Sequence, residues 1–211
     1  MTRPTKSSSF TRICLFAAVA MPVLYFGSQL AAAPFYPGYS FSRDSASMLG
    51  TSFSRHPWIF NLGAILTGIA ALVGAIGLYR AFRATSNIMV AWLIGLSVAA
   101  TGIMSVKAGM FPLPDSRHAS WGFLVAFTIV TPLLLLIGVW KHQGAKAIRL
   151  YLIASLALIL VLFPFMFGMV STTLLQPGTF QRLFALATFV PVGVVAYFFS
   201  RGGGLLRGQL F

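Results

Sequence analysis

Only two of the 211 residues are acidic, Asp44 and Asp115, and neither lies in the six stretches of about twenty apolar residues that make up most of the chain. A run of that length matches the ~20 residues an α-helix needs to cross a hydrocarbon core about 30 Å thick. Inside such a core every backbone N–H and C=O must find its partner within the protein, so a spanning chain is either helical or a closed barrel. Barrel strands would read as alternating segments of about ten residues, and the runs here are continuous. Charged residues make up 8% of the chain and the mean hydropathy is +0.88, whereas a soluble domain carries about 25% charged residues. The expected fold is all-α, a polytopic transmembrane bundle.

The expected spans are residues 13–33, 57–79, 88–106, about 119–140, a fifth within 150–175, and about 183–200, flanked by tails at 1–12 and 201–211. The first could be read as a signal peptide ending at Ala31-Ala32-Ala33. Its apolar run is longer than the roughly 7–15-residue core of such a peptide, and Pro34 would directly follow the cut, so it is read as a retained span. Small residues at Ala64, Gly68, Ala71 and Ala75 let neighbouring helices approach closely, which puts the second span at the bundle centre. With the N-terminus inside, ten Lys and Arg fall on the cytoplasmic side and five (Arg43, Arg55, Lys107, Arg117 and Arg182) on the other. The positive-inside rule then gives six spans with both termini cytoplasmic.

A net charge of +13 raises nucleic acid as a partner, but no cluster of Lys or Arg with interleaved aromatics is present. Basic residues beside apolar runs point to membrane lipids as partners instead. A single cysteine, Cys14, excludes an intrachain disulfide and reads as a buried thiol.

The expected topology gathers both acids and two of the three histidines on the extracytoplasmic side, in the loop segments 36–61 and 109–122. Asp44, His56, Asp115 and His118 are together a sufficient donor set for a divalent metal of the zinc type. Asp44, Ser47, Asp115 and His118 are the candidate catalytic residues, with Ser47 a nucleophile if a histidine serves as its base. Tyr39, Arg55, Asn61 and Arg117 are the candidates for holding a polar headgroup. The structural alternatives are ordinary ones: Asp44 as the N-cap of a turn ending at Gly50, Asp115 as a cap or first-turn acid of the fourth span, and Trp58 and Trp121 as aromatic-belt residues. Ser54-Arg55-His56 and Ser116-Arg117-His118 each precede an inward-running span and suggest a repeated hairpin. His-Glu-x-x-His, Gly-x-Ser-x-Gly and phosphate-binding glycine loops are absent from the sequence.

Tyr36-Pro37-Gly38-Tyr39, Ser47-Met48-Leu49-Gly50, His56 and Asn61 before a glycine-rich span, and Gly109-Met110-Phe111-Pro112 with Asp115 and His118 resemble, in that order, the membrane proteins of the domain-of-unknown-function 998 family. The chain departs from that pattern at Ala46, where the family has an acid or amide, and in the acid that stands three residues past Pro112. The resemblance implies six spans in a bacterial inner membrane and no particular reaction. The residues then support two expectations: binding of a lipid headgroup or small amphiphile, or a membrane-embedded, metal-dependent or serine-based hydrolase or transferase acting on a lipid-type substrate. Ion-coupled transport is disfavoured, since the spans carry no acid or histidine in their middle thirds.

Overall fold

The computed structural model describes residues 9–118, 120, 122–166 and 175–203. They form six α-helices and, among the described residues, no strand: α1 (Ser9–Ala32), α2 (Pro57–Thr85), α3 (Ile88–Met110), α4 (Leu124–Val139), α5 (Lys146–Met166) and α6 (Pro177–Ser200). Short 3-10 turns stand at Ala33–Phe35 and Ala46–Gly50. Local chemistry sets several of the boundaries. Pro57 and Pro177 open α2 and α6 at a position where the missing N–H costs nothing, and Asn87 caps α3 by accepting from the Met89 N–H at 2.7 Å.

Five helices are long and apolar enough to cross a membrane, and α4, with 16 residues, is shorter. At 1.5 Å per residue it extends about 24 Å. The expected fourth span began near Ala119, whereas the regular helix starts at Leu124 because the preceding carbonyls are engaged elsewhere: those of Arg117, His118 and Ser120 accept hydrogen bonds from Lys107 on α3. The helix α6 begins earlier than residue 183, which puts Arg182 on a helix instead of in a loop. Of the expected fifth segment, residues 167–174 lie outside the described residues, as do most of both tails.

The helices close a ring in chain order, α1 against α2 and on through α6 back to α1. Leu15, Leu78, Ile94, Leu135, Leu152 and Val192, one from each helix, are buried in one core. The small residues do clasp α2 on two sides, but the helix is a member of the ring and not its centre as expected, because Leu62, Leu66, Ile69 and Ile76 leave its other face exposed. A Cβ on Gly68 would lie 2.5 Å from the Gly102 carbonyl oxygen of α3, and one on Gly74 would lie 2.6 Å from the Ala18 Cβ of α1. These approaches are available only without side chains, and they make α1–α2–α3 the closely packed part of the bundle.

At the end of the bundle where α1 begins, His142 is buried between the rings of Phe82 and Phe199, and neither ring nitrogen has a hydrogen-bond partner among the described residues. Burial lowers its pKa below the ordinary histidine value. The unfolded chain therefore takes up a proton before the folded one does, and stability rises with pH across that interval. The thermal midpoint of purified protein is expected to fall between about pH 7.5 and about pH 5.5, and His142→Phe should flatten that slope. An equal slope in both proteins would assign the pH dependence to another group.

Candidate functional site

At the opposite end, the segments 33–56 and 111–123 meet over the starts of α2 and α6 and the end of α3. In the first, the backbone turns at Gly38, whose φ of 72° lies in the left-handed region that favours glycine. Asp44 then organises residues 40–44: its carboxylate accepts from the Ser40 N–H at 2.9 Å and from the Arg43 guanidinium at 2.8 and 2.9 Å. The Arg43 hydrogen bonds hold this carboxyl below its usual pKa. With its oxygens occupied in this way, Asp44 does not cap the Ala46–Gly50 turn, contrary to expectation. The N-cap position belongs to Ser45, which makes no side-chain cap bond. The Gln181 side chain of α6 accepts the Ala46 N–H instead.

Arg182 of α6 clamps the same segment. It donates to the carbonyls of Phe41, Asp44 and Gly178 and to the Tyr39 hydroxyl, and its guanidinium lies 4.9 Å from the Phe41 ring centre. Gly178 allows the approach, since a Cβ there would meet the Phe41 and Ser42 carbonyl oxygens at 2.6 and 2.7 Å. Asn61 of α2 donates to the Gly50 carbonyl at 3.1 Å and also packs against Gly109 of α3. Tyr39 and Asn61, proposed from sequence as ligand contacts, are thus both engaged in holding the first loop.

In the second segment Asp115 and Arg117 pair with each other. The Arg117 N–H bonds Asp115 Oδ1 at 2.9 Å, and the guanidinium closes on both carboxylate oxygens, Nη2 to Oδ2 at 2.6 Å. These bonds pull the Asp115 carboxyl down to a pKa of about 2. An acid tied into a two-residue turn, well before α4 begins at Leu124, is not that helix's cap. Arg117 also stacks 4.0 Å from the Phe111 ring centre. Lys107, buried near the end of α3, bonds the carbonyls of Arg117 (2.7 Å), His118 (3.2 Å) and Ser120, and the Ser120 hydroxyl at 2.9 Å. Arg117, His118 and Ser120 gather around one ammonium group.

Among the described residues one side-chain hydrogen bond ties the two segments: Ser47 Oγ lies 3.1 Å from His118 Nε2, and His118 Nδ1 lies 2.8 Å from the Phe111 carbonyl oxygen. A carbonyl can only accept, so in the neutral ring Nδ1 carries the proton. Nε2 then offers its lone pair to the serine hydroxyl.

The four residues considered as metal donors are not assembled. Among the described residues no group of three or more His, Cys, Asp or Glu is placed to hold a metal ion. His56 is exposed with its ring 4.8 Å from that of Phe35, edge to face. Arg55 is exposed beside it. The two Ser-Arg-His tripeptides also differ in surroundings: Ser54 is buried and Ser116 exposed, and only His118 bonds a second loop. Trp121, singled out with the second tripeptide, lies outside the described residues.

Next to this cluster is a groove of about 410 Å³ with apolar walls, formed by Leu72 of α2 with Ile103, Val106, Met110 and Phe111, and bounded by Lys107, Arg117 and Ser120. The elements that sequence reasoning missed are the hubs Lys107, Arg182 and Gln181. A lysine directly after an apolar span and an arginine after Pro177-Gly178 were the available signals, both read only as topology charges.

A family model described as a protein of unknown function, DUF998, matches residues 18–197, from the third turn of α1 to near the end of α6. No curated protein and no solved structure matches the chain.

Proposed function

The chain belongs to the DUF998 family of proteins of unknown function, and from that premise we propose that it is a multi-pass membrane protein that holds an anionic phospholipid by its headgroup and one acyl chain. The supporting observation is the groove of about 410 Å³, which is apolar along α2 and α3 and carries Arg117, Lys107 and Ser120 at one end. Ile103 and Met110 on its wall are exposed on the outer surface of the bundle, where a lipid chain would lie. Arg117 spends Nε and part of Nη2 on Asp115, and Nη1 makes no hydrogen bond among the described residues, leaving donors for a phosphate. This end of the molecule carries five cations (Arg43, Arg55, Lys107, Arg117, Arg182) and two acids (Asp44, Asp115), a net charge of +3. In this reading it faces away from the cytoplasm of a bacterial inner membrane, a sidedness supported by the ten-to-five split of Lys and Arg.

The test uses the full chain in nanodiscs containing anionic and zwitterionic phospholipids, followed by native mass spectrometry of retained lipid. The wild type is expected to retain the anionic lipid preferentially. Arg117→Ala should weaken retention about tenfold, the scale of one hydrogen bond to a charged group, and Asp115→Asn should not weaken it. Equal retention by Arg117→Ala and wild type, or no headgroup preference, would overturn the reading.

A further inference from the structure

The Ser47–His118 contact has the arrangement that an activated serine requires. A serine hydroxyl is a weak nucleophile unless a base within about 3 Å can take its proton, with that base held in one orientation by a third group. Here Ser47 Oγ is 3.1 Å from Nε2, and the Phe111 carbonyl holds Nδ1 at 2.8 Å, which fixes both the tautomer and the ring plane. The carbonyl occupies the orienting position that a carboxylate holds in a triad. Both acids are unavailable for it, because Asp44 is closed on Arg43 and Asp115 on Arg117.

The pair joins elements far apart in sequence. Ser47 sits on a short turn whose flanking residues, Ala46 and Gly50, are held by Gln181 of α6 and Asn61 of α2. His118 lies on the loop folded around Lys107. Both side chains are half-buried, at the polar end of the bundle. The groove is adjacent through the chain: Phe111, which orients the imidazole, lines it, as do Arg117 and Ser120 on either side of His118 in sequence.

We propose that Ser47 and His118 form a nucleophile–base pair that cleaves or transfers the acyl group of an ester-bearing amphiphile at the membrane boundary. For the identity of its substrate this rests on the groove reading. Ser47 Oγ attacks the ester carbonyl carbon as its proton passes to His118 Nε2. The tetrahedral intermediate collapses with cleavage of the bond to the alkoxy oxygen, which leaves as an alcohol with the proton from Nε2, and an acyl-Ser47 ester remains. Water, or a second alcohol, then gives its proton to Nε2 and attacks the acyl carbon. Ser47 Oγ departs and recovers that proton, so ester plus water yields acid plus alcohol with no other reactant.

The experiment is labelling of the full-length protein, in nanodiscs, with a long-chain alkyl fluorophosphonate, read by intact mass and by mapping the modified peptide. Wild type is expected to gain one phosphonyl group, on Ser47. Ser47→Ala should abolish the gain. His118→Gln should slow it at least a hundredfold, at the low end of general-base contributions, while the thermal midpoint shows that the variant is folded. If His118→Gln does not fold, the labelling is read in Ser47→Thr, which keeps a hydroxyl and should be labelled at the same position more slowly. Absence of label on wild-type Ser47, or labelling of folded His118→Gln at the wild-type rate, would overturn the proposal. Lipid retention measured on the same Ser47→Ala protein separates the two readings: retention unchanged with labelling lost keeps both, and labelling without headgroup preference removes only the lipid site.

Discussion

Replacing Lys107 by methionine is expected to release Arg117, His118 and Ser120 from the end of α3 and to destabilise the protein by about 3 kcal/mol or more, the scale of losing charge-assisted hydrogen bonds while leaving their acceptors unpaired. The ammonium has three protons and, among the described residues, serves three carbonyls and one hydroxyl of a single loop, from a residue that is 7% exposed. Methionine fills similar volume along the stem but offers no donor, so the carbonyls of Arg117, His118 and Ser120 must turn to solvent or stay unpaired. His118 and Arg117 move with them. The variant should therefore lose the Ser47 contact and the headgroup end of the groove together, seen as faster proteolysis within 111–123 and a lower thermal midpoint. A native proteolysis pattern with an unchanged midpoint would show that the loop is held by other contacts.

Gly178→Ala is the second large effect. Alanine is normally the better helix former by about 1 kcal/mol, so by propensity alone α6 should gain. The added Cβ would instead press on the carbonyl oxygens of Phe41, Ser42 and Asp44, which are backbone atoms that no rotamer change can move aside. The Ser42 carbonyl also accepts the Thr179 N–H at 2.9 Å, so separating the two segments removes that bond and strains the Arg182 clamp. A net loss of about 1–3 kcal/mol is expected, the usual cost of overpacking, measured as a lowered thermal midpoint and faster cleavage within 36–45. Gly27→Ala on α1, where a Cβ would meet nothing within 4 Å, serves as the control and should leave stability unchanged or raised.

The helical architecture was legible from sequence because hydrophobic length is a local property. α2 and α3 start where expected, at Pro57 and Ile88, because a proline at N1 and an asparagine cap act within one turn. The close packing of α2 was likewise visible in the spacing of its small residues. The start of α4 was not, because hydropathy continues through residues 119–123 while Lys107, more than ten residues away in sequence, takes the His118 and Ser120 carbonyls that helix would use. Both aspartates were read as helix caps for the same reason: Asp before a helical run fits a cap, and nothing in the sequence says that Arg43 and Arg117 fold back on them at 2.8 and 2.6 Å.

Composition and order by themselves determined that the chain is a helical membrane bundle and that its acids and two of its histidines cluster in two loops. Burial of twenty-residue apolar helices depends on composition, and loop membership follows from it. Tertiary structure alone decided which loop residues meet. It packed His56 against Phe35, engaged both carboxylates with neighbouring arginines, and brought Ser47 to His118 across 71 positions of sequence. A hydrogen bond depends on tenths of an ångström and on direction, and these are set here by Lys107, Arg182 and Gly178, residues whose partners are backbone carbonyls that no sequence motif displays.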